Sequence, residues 1–290
     1  MNEGAAGESL SIVIPAKNEA TSIGDIVSAA RAEFPGAEII VVDDGSTDDT
    51  AETAEKAGAM TVRHPESLGN GAAIKSGARA ASGEILAFMD ADGQHDPREF
   101  GKLLDKLENG YSMVVGARES ESHASIGRLF ANGFYNELAS LLTGRQVTDL
   151  TSGFRVARAK LFKEFLYLLP NGFSYPTTIT MAFMRSGYPV RFETVKVDQR
   201  KGSSHIRPIR DGVRFLAIIF KVATLYAPLK IFLPISGVFL ATGLGWYAYT
   251  YFTLGRFTNM SLMVITASVI VFLIGLISEQ ITALTYSKSE

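Results

Sequence analysis

The chain has no cysteine in 290 residues. That excludes disulfides, thiolate metal sites and a cysteine nucleophile, and it fits a domain kept in a reducing compartment. Net charge is also scarce, with 28 Lys and Arg against 30 Asp and Glu. Lacking a global positive field, the chain does not read as a nucleic-acid binder. Internal repeats and low-complexity tracts are missing as well. The residues before Ser9 lack the basic and apolar regions of a secretory signal, so the first domain is expected to stay in the cytosol. Charge is most depleted near the C-terminus, where Arg256 is the only formally charged residue between Ile231 and Ser278.

That depleted region holds two apolar runs, residues 229–252 and 261–284, each near the ~20 residues needed to cross a bilayer. A short turn-like connection makes them a helical hairpin. Tyr247, Tyr249, Tyr251 and Phe252 crowd the end of the first run as an interfacial belt would. Two buried helices of a soluble domain would be the alternative, but nothing else in the chain could wrap both. Just upstream, Arg200, Lys201, Arg207, Arg210, Arg214 and Lys221 face one acid, Asp211. The positive-inside rule makes this flank cytoplasmic, which predicts an integral membrane protein with two spans, its first domain and both termini in the cytoplasm. Val213, Leu216, Ala217, Phe220 and Leu225 alternate with the basic residues at helical spacing, predicting an amphipathic helix on the membrane surface rather than a solvated basic face. The expected domains are residues 1–206, the interfacial helix 207–228, and the hairpin 229–290.

Upstream, short apolar strands at 11–14, 38–42, 60–63, 84–89 and 112–116 alternate with helical segments at 22–33, 48–57, 72–80 and 97–108. The pattern predicts an α/β domain with a mainly parallel, doubly wound sheet. Thr47 is expected to cap the second helix and Gly58 to end it. Ligands of such sheets sit outside the carboxyl ends of the strands. Three turns lie there: Pro15 to Glu19, Asp43 to Asp48, and Asp90 to His95.

Asp90 and Asp92 are two apart, so on extended chain they point to one side. With Gln94 they offer the oxygen donors that suit a hard divalent ion carrying substrate phosphates. An Asp-rich turn can also form for local hydrogen-bonding reasons alone. The small residues Gly69 to Ala73, with Lys75 one turn into the following helix, suit a backbone that approaches a ligand, or a plain capping turn.

The order Ile14-Pro15-Ala16-Lys17-Asn18-Glu19, Val42-Asp43-Asp44-Gly45-Ser46-Thr47-Asp48, Met89-Asp90-Ala91-Asp92-Gly93-Gln94-His95 and Thr151-Ser152-Gly153-Phe154-Arg155 resembles family 2 glycosyltransferases. More closely it is similar to the polyprenyl-phosphate hexosyltransferases of the dolichyl-phosphate mannose synthase type, over about residues 9–208. The resemblance implies a GT-A nucleotide-diphospho-sugar transferase domain, Rossmann-like, ahead of the membrane hairpin. It implies inverting transfer of a hexose from GDP-mannose or a UDP-hexose to a dolichyl or undecaprenyl phosphate. Donor contacts are implied at Pro15, Ala16, Glu19 and Asp44, with Ser46, Gly71, Lys75, Asp90 and Ala91 as further donor-side candidates. Asp90, Asp92 and Gln94 would hold Mg²⁺ or Mn²⁺.

A phosphate acceptor, with its second pKa near ~6, is already ionised and needs no general base. Arginines should then meet it. The resemblance places acceptor contacts at Arg118, Arg128 and Asn132, and Arg155, Arg200 and Ser204 are further candidates; Asp92, Arg118 and Arg128 are the expected catalytic residues. Two departures from the family stand out: Thr178 where relatives often carry an acid, and His205 where they often carry lysine. His95 is expected to play a structural or donor-side role, not that of a metal ligand. A processive polysaccharide synthase would need a Gln-x-x-Arg-Trp motif, whereas the one tryptophan, Trp246, lies in the first apolar run. A non-catalytic sugar-nucleotide adaptor would not need Asp90 and Asp92. Gly237, Gly243, Gly245 and Gly275 could serve close helix packing, in the hairpin or in a homo-oligomer.

Overall fold

The computed structural model describes residues 9–118, 133, 136–137, 140, 144, 146–172, 175–197, 220, 224 and 226–287. Arg128, Asn132, Arg200, Ser204 and His205 lie outside them, as does most of the expected interfacial helix 207–228. The chain separates into two compact units, Met1–Arg207 and Pro208–Glu290.

The first unit is built on strands whose apolar runs are nearly continuous. β1 (Leu10–Ala16), β2 (Glu38–Asp43) and β4 (Ile85–Phe88) are buried almost throughout, as parallel strands covered on both faces must be. β3 (Met60–Arg63) is half exposed because it lies at the sheet edge. Between them run α1 (Ile23–Glu33), α2 (Thr50–Lys56) and α3 (Asn70–Ala80). Asp96 accepts the Arg98 N–H to start a 3-10 turn at Pro97–Glu99, which leads into α4 (Phe100–Glu108). Phe100, Leu103, Leu104 and Leu107 form its buried stripe at the i, i+3, i+4, i+7 spacing of a helix lying on a core.

Beyond β5 (Met113–Arg118) come β6 (Arg155–Arg158), α5 (Ala159–Glu164), a 3-10 turn at Leu166–Leu168, α6 (Tyr175–Arg185) and β7 (Val190–Val195). The seven strands run in the order β3-β2-β1-β4-β6-β5-β7. The sheet departs from the expected parallel pattern in one place. β6 runs antiparallel between β4 and β5, with Arg155 paired to Phe88 and Val115. Being reversed, β6 begins where β4 and β5 end, so the turn leading into it arrives at the ligand edge of the sheet.

Another expectation is corrected within α2. Asp49, not Thr47, is its N-cap, and the Asp48 carboxylate takes the Thr50 N–H. The Thr47 N–H is instead held by the Asn18 side chain.

The second unit contains α7 (Pro228–Leu254) and α8 (Asn259–Ser287), joined after Gly255 in a left-handed conformation at φ 63°. Both are long and apolar enough to cross a membrane, and few of their residues are buried, unlike the core helices of a soluble domain. Their seam is made by small and hydroxyl residues. Ser236 and Ser268 each donate to the other's carbonyl at 3.0 Å. A methyl group on Gly243 would strike Ile265, and one on Gly275 would strike Phe232, whereas nothing lies within 4 Å of such a group on Gly237 or Gly245. Close packing through small residues suits helices that gain little hydrophobic drive in lipid. At the start of α7 the Glu279 carboxylate accepts the Leu229 N–H at 3.3 Å, satisfying one of the donors a helix leaves unpaired.

Candidate active site

The turns after β1 and β2 are laced together by backbone donors and short polar side chains. Asn18 sits in the left-handed region at φ 56°, which asparagine tolerates better than most residues. From there its N–H reaches Ser46 Oγ at 2.9 Å and its Oδ1 accepts the Thr47 N–H at 2.8 Å. The Glu19 N–H donates to Thr50 Oγ1 and the Ala20 N–H to the Asp48 carboxylate. Ser22 extends the lacing to the third turn, donating to the Ala91 carbonyl at 2.8 Å and lying 3.1 Å from Glu19 Oε2. Pro15, Ala16, Glu19, Ser46 and Ala91 are thus gathered along one edge.

Asp44 is more enclosed than an acid at a strand end needs to be. His64 Nδ1 and the Leu68 N–H approach its Oδ1 at 2.8 Å, while Ser67 Oγ and the Gly69 N–H donate to Oδ2 at 2.7 and 2.9 Å. Burial alone would raise the Asp44 carboxyl, but these four donors outweigh it and hold the carboxyl below its ordinary value. His64 Nε2 in turn lies 2.9 Å from Ser76 Oγ.

Gly71 and Lys75 face protein. A Cβ at Gly71 would lie 2.1 Å from the Pro170 carbonyl oxygen, so the glycine admits the 170–172 loop. The Lys75 ammonium donates to the Leu169 carbonyl and to Asn171 Oδ1. In the structure these two residues clamp the start of α3 to that loop.

Asp90 and Asp92 follow β4 and are half-buried. Gly153 stands against Asp90, with space so tight that a Cβ would lie 2.9 Å from Oδ2. The Gln94 backbone N–H donates to Asp92 Oδ1 at 3.2 Å, so Gln94 belongs to the same turn. Two carboxylates and an amide oxygen form a hard-donor set, and a site with few protein ligands fits Mg²⁺ or Mn²⁺, which leave positions for phosphate oxygens and water. His95 is not part of this set. Its ring stacks on Phe154 with centroids 4.6 Å apart, and Phe154 stacks on Phe100 at 4.2 Å. Burial in that stack pushes the imidazole down to about 4.

Arg118 ends β5 with its side chain 37% exposed. Its Nε lies 2.8 Å from Asp149 Oδ2, and its Nη2 reaches Asp149 Oδ1 at 3.2 Å and Thr151 Oγ1 at 2.8 Å. Burial alone would lower the guanidinium; Asp149 first, then Asp90, outweigh it and keep the group firmly cationic. Asp149 was not singled out by sequence reasoning. An Asp two residues before Thr151 is an ordinary turn residue, and its partner is 31 positions away.

Arg155, a further acceptor-side candidate, lies inside the protein. It is fully buried, donating to the Ser152 and Pro176 carbonyls and to Thr180 Oγ1, with its guanidinium 5.7 Å from the Tyr175 ring centroid. With no exposed surface it shores up the wall behind Asp90 and Asp149. Thr178, also buried, lies on α6.

Residues 11–166 match the family described as Glycosyl transferase family 2, and residues 227–284 match the GtrB C-terminal hairpin. The chain belongs to glycosyl transferase family 2: it is a membrane glycosyltransferase whose GT-A unit precedes a two-helix hairpin. The glycosyltransferase AglJ of Haloferax volcanii is 29% identical over 83% of this chain and 81% of its own. A dolichyl-phosphate hexose transferase of the same organism is 29% identical over 74% of this chain and 94% of its own. Glucosyl-3-phosphoglycerate synthase from Mycobacterium tuberculosis, solved with Mg²⁺ and UDP, superposes with a TM-score of 0.61 at 25% identity, covering 75% of this chain and 80% of that one.

Proposed function

We propose that this enzyme moves one hexose from a nucleoside-diphosphate sugar, GDP-mannose or a UDP-hexose, to a polyprenyl phosphate of the dolichyl or undecaprenyl kind. The observation that carries the reading is Arg118: a partly exposed guanidinium at the carboxyl edge of the sheet, within electrostatic reach of Asp90. A cation there suits an anionic acceptor. The apolar hairpin in the same chain supports a lipid as its carrier, and the relative named as a dolichyl-phosphate hexose transferase points the same way.

In this reading Pro15, Ala16, Glu19, Asp44, Ser46 and Ala91 form the donor-side edge. Asp90, Asp92 and Gln94 would hold the divalent ion, and Arg118 would receive the acceptor phosphate. Arg128, Asn132, Arg200 and Ser204 are further acceptor-side candidates. An acceptor oxygen attacks the sugar C1 from the face opposite the leaving group. The C1–O bond to the diphosphate breaks, and the configuration inverts. The acceptor oxygen is already ionised near neutral pH, so no side chain has to take a proton. The protein's contribution is alignment and charge placement. Bound Mg²⁺ or Mn²⁺ would supply positive charge to the departing diphosphate. The proposed division is a cytoplasmic catalytic domain over residues 1–206, an interfacial helix at 207–228 and the two-span hairpin at 229–290, with both termini cytoplasmic.

Mass spectrometry of the lipid product, with purified enzyme, Mg²⁺ and competing GDP- and UDP-sugars, tests the reading. Wild type should yield a hexosyl polyprenyl phosphate, and Asp92→Ala should lower turnover by at least about 100-fold, the scale of losing one preorganised electrostatic group. Transfer only to water-soluble hydroxyl acceptors would overturn the acceptor, and full activity in Asp92→Ala would overturn the metal site.

A further inference from the structure

We propose that Asp149 is the positioning residue for the acceptor: it grips Arg118 by the Nε–Nη2 edge of the guanidinium and leaves the Nη1 edge for the incoming phosphate. The inference rests on the acceptor role proposed above for Arg118. Its physical basis is a division of donors. Of the five N–H groups of an arginine, Nε and Nη2 are spent on Asp149 and Thr151, and no partner on the described residues takes those of Nη1. A free arginine has substantial rotamer entropy to lose, so a guanidinium already fixed along one edge meets an anion with less left to lose.

Asp149 is itself fixed. It is 8% exposed. Its Oδ1 accepts the Thr151 and Ser152 N–H groups and the Thr151 hydroxyl at 3.0–3.1 Å. Asn136 secures the turn from outside, accepting the Leu150 N–H and donating to the Thr148 carbonyl. Burial by itself would raise the Asp149 carboxyl, but Arg118 and Thr151 outweigh it and keep it ionised. Four residues further on, Gly153 lies against Asp90. One turn therefore touches both the arginine and a carboxylate of the proposed metal site, and fixes the distance between them. The arrangement trades charge for geometry, because a carboxylate beside Arg118 weakens its long-range pull on an anion.

That trade makes the test sharp. Asp149→Asn keeps the shape and an oxygen for the turn but loses the ion pair. Steady-state kinetics with a short-chain polyprenyl phosphate should show kcat/KM for the acceptor falling about tenfold, while the donor KM and nucleoside-diphosphate binding stay within about twofold. In an Arg118→Lys background, which keeps a cation without the fork, the same Asn substitution should cost nothing further, as expected when one residue acts through the other. An acceptor kcat/KM that stays level or rises would show that charge outweighs positioning and would overturn the proposal. So would a loss equally large in the Arg118→Lys background, or a matching loss in donor binding. Should Arg118→Ala leave acceptor kcat/KM at the wild-type value, the acceptor role of Arg118 itself would be wrong, a result distinguishable from any failure at Asp149.

Discussion

Asp44 shows how far a side chain's environment can reverse what burial alone would do. Its carboxyl would rise on desolvation, yet His64, Ser67, Leu68 and Gly69 together bring it down. A carboxyl whose folded pKa lies below its unfolded value near ~3.9 contributes stability that is complete above that value and lost as pH falls through the folded one. Asp44→Asn should therefore melt below wild type at pH 6, and the gap should close as pH drops below about 4. Far-UV circular dichroism melts at stepped pH would show it, and a gap independent of pH would refute it. The reach of the sequence at this scale follows from the same interactions. The strand-edge positions of Asp90, Asp92 and Arg118 were legible because the first two come just after the apolar run of β4 and the third ends that of β5. His64 and Asp149 were not, because their partners are 20 and 31 positions distant. For Arg155 and Lys75 the charge is visible in the sequence, whereas the carbonyl groups they donate to are not.

Among the elements, those with apolar runs were readable and those without were not. β1, β2 and β4 were marked by their buried aliphatic stretches. β6 is the four residues Arg-Val-Ala-Arg, and its antiparallel insertion depends on neighbours 40 and more positions away. β7 lies at the sheet edge and is charged at alternate points, so its Val-Arg-Phe-Glu-Thr-Val sequence reads weakly as a strand. Helix packing was equally hidden. Gly77 lets α3 lie flat on β1 and β2; a Cβ there would be 2.3 Å from Val13 Cγ1 and 3.0 Å from Val42 Cγ2. Replacing a helical glycine with alanine favours the helix by roughly 1 kcal/mol, whereas forcing a methyl into a packed core costs typically 1–3 kcal/mol or more. At this distance packing wins. Gly77→Ala should lower the thermal midpoint of the catalytic unit, while Gly36→Ala, whose added methyl meets nothing within 4 Å, should leave it near wild type. Equal midpoints in the two variants would mean that α3 does not bear on the sheet as closely as described.

For the whole molecule, the uneven charge decides which experiments can see which part. The only tryptophan, Trp246, is in α7, so its fluorescence reports the hairpin, and the catalytic unit has to be followed by circular dichroism or amide exchange. The lack of cysteine is useful in the same way, because any single cysteine introduced is the sole thiol. Under the proposed topology the α7–α8 connection lies across the membrane from the sheet. Arg256 is exposed in that connection, and Lys56 is exposed at the end of α2. A membrane-impermeant maleimide applied to sealed cells should label Arg256→Cys, and should reach Lys56→Cys only after the membrane is opened. Labelling of Lys56→Cys from outside would invert the topology and separate the donor edge from cytoplasmic nucleotide sugars. Protection of both sites, with full labelling after detergent, would mean that the helices enter the bilayer without crossing it. The acceptor phosphate would then still meet Arg118 at a membrane surface, but the seam of Ser236, Ser268, Gly243 and Gly275 would serve a hairpin lodged in one leaflet and not a two-span anchor.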